Sequence, residues 1–263
     1  MLPESGGHIM AHTLTLPERP SPPRRVGVTM VIDSGLPLRA FEDIVESFAP
    51  LIDYIKFGWG TSVVYPVVGR KIEILKAHGI GGYLGGTLFE KYIIQGKFDD
   101  FRRVCQEYGL RTVEVSNGTA AISHEEKSLY VEKLANDFEV ISEVGFKDNS
   151  QSENFAPKKW VESIERDLVA GARFVTLETR ESGRGGMCRP NGELRYGLIE
   201  EILDSGIDVS RLMFEAPTND LQSYFVKRVG TNVNLGNIPS DAIVSCETIR
   251  VGLRSETLLE FER

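Results

Sequence analysis

The feature that most limits how this chain can fold is an alternation, from Arg25 onward, of short β-branched runs with longer amphipathic stretches. The spacing predicts strands over residues 26–32, 54–57, 80–84, 112–115, 139–143, 174–178, 212–215 and 232–235. Helical periods fill most of the gaps, as in residues 38–48, 67–78, 98–108 and 125–137. Eight strands with intervening helices predict an α/β chain closed into a (β/α)8 TIM barrel. An open doubly wound sheet would carry a glycine-rich phosphate turn after its first strand, and Asp33-Ser34-Gly35-Leu36-Pro37 is not that turn. A length of 263 residues suits one such barrel, since examples of about 250 residues are routinely a single domain. Residues 25–263 are therefore expected to form the catalytic barrel. Residues 1–24, rich in proline, are expected to be a disordered leader that lacks the basic start and apolar run of a secretory signal. Ser123 with Glu126 reads as a helix cap, as do Asp99 and Asp100.

Composition removes several classes of function. A formal charge of −8 disfavours nucleic acid or anionic membrane as a partner, because both require a basic surface. No apolar run approaches the roughly 18 residues of a membrane span. Cys105, Cys188 and Cys246 are too scattered for a disulfide framework or zinc site and read as reduced thiols, which predicts a cytoplasmic protein. The four histidines lie away from the predicted strand ends, so histidine chemistry is not expected.

Barrel enzymes take their reactive groups from the C-terminal ends of the strands. Read in order, those ends offer Asp33, Lys56, the Gly85-Gly86-Thr87 turn, Glu114, Glu143 followed by Lys147, Glu178 with Arg180, Glu215, and Asn234 with Asn237. Carboxylates converging on one mouth repel one another unless protons or cations intervene, and their oxygens suit Mg2+. Glu114, Glu143, Glu178 and Glu215 are thus candidate magnesium ligands; ion pairing within the barrel is the alternative for any one of them. Lys56, a candidate catalytic residue, is expected beside a carboxylate or an anion. Arg180, Ser182 and Arg184, set among glycines, read as an anion cradle. Arg250 and Arg254 read either as a phosphate site after the last strand or as a solvated helix face, and Asn234 as a further substrate contact.

Several motifs then point one way: Lys56-Phe57-Gly58-Trp59-Gly60-Thr61-Ser62, Gly85-Gly86-Thr87-Leu88-Phe89-Glu90, Arg180-Glu181-Ser182-Gly183, Phe214-Glu215-Ala216-Pro217, Val233-Asn234-Leu235 and Glu247-Thr248. Occurring in this order, they resemble the phosphosulfolactate synthase family over residues 28–257. The resemblance implies a magnesium-dependent addition of sulfite to phosphoenolpyruvate, giving (2R)-2-O-phospho-3-sulfolactate for coenzyme M or sulfolactate biosynthesis. It also implies a homo-oligomer. The family's proposed acid aligns with Lys147, otherwise readable as a loop charge, and a proton donor at neutral pH is expected to have its pKa lowered. This chain has Phe146 where the family commonly has a second lysine, and Asn117-Gly118-Thr119 where it has Asp-Gly-Ser. Those departures leave open a different nucleophile, or a non-catalytic stress-associated relative.

Overall fold

A computed structural model describes residues 13–180 and 182–262. Eight strands, β1 (Thr29–Asp33), β2 (Tyr54–Phe57), β3 (Gly81–Leu84), β4 (Thr112–Val115), β5 (Glu139–Val144), β6 (Phe174–Leu177), β7 (Leu212–Glu215) and β8 (Leu235–Pro239), form one sheet in the order β3-β2-β1-β8-β7-β6-β5-β4. Every described ladder is parallel. β3 also lies against β4, so the sheet is nearly closed into the expected (β/α)8 barrel.

The helices that return the chain are α1 (Leu38–Phe48), α2 (Thr61–Val64), α3 (Val68–Ala77), α4 (Gly86–Ile94), α5 (Phe98–Glu107), α6 (His124–Ala135), α7 (Asn149–Asn154), α8 (Pro157–Val169), α9 (Tyr196–Asp204), α10 (Asn219–Val229) and α11 (Ile243–Arg250). Ser123 caps α6 as expected: its Oγ accepts from Glu126 N, and Glu126 Oε2 accepts from Ser123 N. Asp99 and Asp100 instead occupy the first turn of α5 without a side-chain cap, where negative charge favours the helix dipole.

Strand alternation sorts the side chains. Val28, Met30, Tyr83, Ile141, Phe174 and Met213 fill the barrel interior, and a larger apolar cluster lies between sheet and helices. The last strand begins three residues later than the spacing predicts. The β1–β8 register skips a residue between Thr29↔Leu235 and Val31↔Ile238, and Asn237 adopts φ +52° at this bulge.

That shift places Asn234 at the N-terminal end of the barrel, and α11 returns the chain so that Arg250, its last residue, lies there too. Asn234 accepts from Val28 N and donates to Ser210 O and Leu212 O, pinning β1 to β7. Arg250 is fully buried; it donates to Thr231 O (3.0 Å), Val233 O (2.6 Å) and Val28 O (3.1 Å). Both are structural at this end, remote from the strand termini where barrel chemistry occurs. Arg250→Ala should therefore cost about 2 kcal/mol in urea denaturation, since it strands buried carbonyls, while leaving substrate KM unchanged. A weakened KM with unaltered stability would restore the anion-binding reading.

Residues 1–12 of the expected disordered leader lie outside the described residues. Its later part is anchored: Arg19 pairs with Glu247 at 2.8 Å, and Arg24 pairs with Asp53 at 3.1 Å. Among the described residues no helix is long and apolar enough to cross a membrane.

Candidate active site

Inward positions near the C-terminal ends of β2, β4, β5 and β7, together with the residue following β6, bring Lys56, Glu114, Glu143, Glu215 and Glu178 together. Lys56 Nζ lies 3.0 Å from Glu114 Oε1, 3.3 Å from Glu143 Oε2 and 3.4 Å from Glu215 Oε1. Carboxylate oxygens of Glu143, Glu178 and Glu215 all lie within 4.8 Å of one another. Glu114 stands apart from this triad, holding Gly86 N through Oε2. The remaining oxygen of Glu215 accepts from Thr179 N at 2.8 Å.

Lys147 enters from the loop after β5. Its ammonium is 3.4 Å from Glu143 Oε1 and 3.0 Å from Thr87 Oγ1, and 26% of its side chain is exposed. The loop is tied to that after β4 by Lys147 N donating to Gly118 O. Glu90 on α4 stabilises the latter loop by accepting from Ser116 Oγ, Thr119 N and Ala120 N. Two glycines permit this packing. A Cβ on Gly145 (φ +131°) would come 2.7 Å from both Glu178 Cβ and the Trp160 ring, and one on Gly186 (φ +59°) would strike Glu178 O.

The charges set each group's protonation. Burial raises the pKa of Glu114, Glu178 and Glu215, the last to about 8, with neighbouring carboxylates adding to the effect. Glu143 goes the other way: burial is outweighed by Lys147 and Lys56, which hold it ionised. Glu178, buried beside Glu215 and the ionised Glu143, is held well above the usual carboxylate range. Burial would lower both lysines, but Glu114, Glu143 and Glu215 raise Lys56, and Glu143 and Glu178 raise Lys147. The lowered pKa expected for Lys147 is thus corrected: the carboxylates beside it favour the ammonium more than desolvation disfavours it.

Other sequence candidates scatter. Arg180, Ser182 and Arg184 are exposed on the loop after β6. Ser182 and Arg184 border a cleft of about 450 Å3 with Thr218, Asp220 and Tyr224, whereas Arg180 is not among its walls. Arg254 is held by Glu256 and donates to Ser245 Oγ, with no described contact to the glutamates. Asp33 turns away from the mouth to bind Lys71 at 2.5 Å and the amides of Gly35 and Leu36. Roles for Thr87 and Glu90 were not assigned from sequence, although both fall in the 85–90 motif; only the folded contacts reveal them.

Four buried glutamates meet two ammonium groups, leaving two negative charges to be met by protons or a divalent cation. The oxygen triad, three carboxylates from neighbouring strand ends, fits a hard ion such as Mg2+. A parallel barrel with this charged centre at the catalytic end has the form of a (β/α)8 enzyme acting on a small polar substrate.

Comparison sharpens the class. Residues 17–256 match the family described as (2R)-phospho-3-sulfolactate synthase (ComA), and the chain belongs to that family. The phosphosulfolactate synthase of Bacillus subtilis (strain 168) is 43% identical over 245 residues, spanning 93% of this chain and 97% of that protein. The synthase of Methanocaldococcus jannaschii is 40% identical over 235 residues, spanning 88% and 93%. Protein HEAT-STRESS-ASSOCIATED 32 of Arabidopsis thaliana is 26% identical over 260 residues, spanning 89% and 88%. Among solved structures, a 3-hexulose-6-phosphate synthase shares the fold with TM-score 0.55 at 14% identity, covering 85% of this chain and 97% of that one.

Proposed function

We propose that this enzyme catalyses the magnesium-dependent addition of sulfite to phosphoenolpyruvate, giving (2R)-2-O-phospho-3-sulfolactate. The observation that carries the reading is Lys147: a partly exposed ammonium, braced by Thr87 and Glu143, beside a triad of oxygen ligands. The sulfur lone pair of sulfite forms the C–S bond to the methylene carbon. Electrons of the double bond move to the adjoining carbon and into the substrate carboxylate, and Lys147 Nζ delivers a proton to that carbon. Held by Glu143, Glu178 and Glu215, magnesium would supply positive charge where the substrate carboxylate gains electron density. Lys56 keeps Glu114, Glu143 and Glu215 close without strong mutual repulsion. Arg180 and Arg184 offer exposed guanidinium groups for the phosphate or sulfite.

The departures at Phe146 and Asn117 do not favour another nucleophile. Phe146 packs against Phe155 and His124, and Asn117 Nδ2 donates to Ile122 O; neither has a described contact with the glutamates. Retention of the whole charged cluster argues against a non-catalytic relative. Service in coenzyme M or sulfolactate biosynthesis, as a cytoplasmic homo-oligomer, completes the proposal. Purified protein given sulfite, phosphoenolpyruvate and magnesium should consume the two substrates one for one and yield the named product. Absence of turnover across a wide range of enzyme and metal concentrations would reject it.

A further inference from the structure

We propose that Arg195 is a positioning residue that locks the loop carrying Lys147 to the loop carrying Arg180 and Arg184, so that acid and anion-binding groups hold one register. The roles of those three residues rest on the function proposed above; the lock itself rests on geometry. Arg195 sits at the N-terminal boundary of α9, 43 and 40 residues along the chain from Ser152 and Phe155 and 9 from Gly186, whose carbonyls it reaches. Its Nη1 donates to Ser152 O at 2.8 Å and to Gly186 O at 3.3 Å, while Nη2 donates to Phe155 O at 3.2 Å. One guanidinium therefore joins α7, which directly follows the Lys147 loop, to the loop after β6.

Ser152 adds a second stitch between the same segments. It is 1% exposed, and its Oγ donates to Gly186 O at 3.0 Å. The connection continues to the carboxylates through main chain: Arg195 N donates to Met187 O, and Met187 N donates to Glu178 O, each at 2.9 Å. On the other side, the segment leading into α7 carries Lys147, whose N–H is bound to Gly118 O. A planar fork with several fixed donors suits this task better than a flexible ammonium, because each carbonyl is met without a large loss of side-chain freedom. Small displacements matter at such a site, since catalysis depends on holding reacting groups to well under 1 Å.

Arg195→Ala, Arg195→Lys and Ser152→Ala, each in the full chain, test the lock by hydrogen–deuterium exchange and by steady-state kinetics. The reporting amides are Lys147 N–H in the loop after β5 with Ser152 N–H in the α7 that follows it, and Met187 N–H and Cys188 N–H in the loop after β6. Arg195→Ala should speed exchange at least tenfold in both loops together, and Arg195→Lys should recover part of that protection. In the sulfite reaction kcat should fall at least tenfold and KM for phosphoenolpyruvate should rise at least threefold, because groups on both loops lose register. A purely local role would loosen residues 182–188 alone, and that result, or unchanged exchange in both loops, overturns the proposal. If Arg195→Ala does not fold, Ser152→Ala decides: exchange at least twofold faster in both loops supports the lock, and unchanged exchange overturns it. Failure of the wild-type protein to use sulfite would defeat the proposed reaction, yet the exchange data would still decide the lock.

Discussion

Replacing Lys147 with alanine is expected to lower kcat for sulfite addition by about 10³-fold, within the range found for general acids, while KM for phosphoenolpyruvate changes less than about threefold. A loss of that size corresponds to about 4 kcal/mol of transition-state stabilisation. The split follows from when the proton is needed: the carbon accepts it only after the C–S bond begins to form, so docking does not draw on the amine. The carboxylates that raise the Lys147 pKa keep it protonated at neutral pH. Transfer remains favourable, because a carbanion beside a carboxylate is a far stronger base than an amine. A second readout is stereochemical. With Lys147 absent, water can reach either face of the carbon, and the residual product should lose its single configuration. Turnover within threefold of wild type, with configuration intact, would remove Lys147 from the mechanism. A matching thermal midpoint for the variant would show that the loss is not one of folding, as expected for a side chain that is 26% exposed.

Much of this centre was legible before folding because a strand's two-residue period dictates which side chains face inward. Lys56, Glu114, Glu143 and Glu215 occupy such positions near strand ends, and Glu178 continues the alternation of β6. Recognising a barrel was therefore nearly enough to place them. The same logic failed for Asn234 and Arg250. Placing the last strand three residues too early exchanged one end of the barrel for the other at Asn234, the bulge at Asn237 having no strong local signal, whereas Arg250 closes α11 and so lies at the end to which that helix returns the chain.

Other failures arose from tertiary contacts. The direction of the Lys147 pKa shift depends on Glu143 and Glu178 lying next to it, which the residue type alone does not reveal. Thr87 acquires a role only when the first turn of α4 meets the loop after β5, and Arg195 only when its guanidinium crosses from the loop after β6 to α7. Arg180 and Arg184 are on a catalytic-end loop as anticipated, but Ser182 and Arg184 face a side cleft that Arg180 does not line. Composition suggested a free leader, yet Arg19 and Arg24 join it to the barrel through ion pairs.

Removing the proposed magnesium with a chelator is expected to reduce turnover by at least about 10³-fold, a loss of several kcal/mol in charge stabilisation. The same treatment should expose the proton balance of the glutamates. Glu215 has a folded-state pKa of about 8, above its ordinary value, so its contribution to stability is full in acid and declines as pH rises through about 8. Other groups fix the useful window. His124 has a pKa lowered to about 4 by burial, so its contribution is lost only as pH falls below the ordinary histidine value of about 6.5. Glu143 is held low, and Lys56 and Lys147 are held high, so all three are flat near neutrality. From pH 6.5 to 8 the chelated protein should therefore lose at least about 2 kcal/mol, or roughly 5 °C in thermal midpoint; Glu215→Gln should remove its share of that slope, while Glu178, which burial also holds well above the usual carboxylate range, keeps a part. Since a cation replaces the protons, magnesium should bind with proton release and raise the midpoint more at pH 8 than at pH 6.5. An equal rise at both pH values, or an unaltered slope in the glutamine variant, would show that these carboxylates are not the groups exchanging protons for the metal.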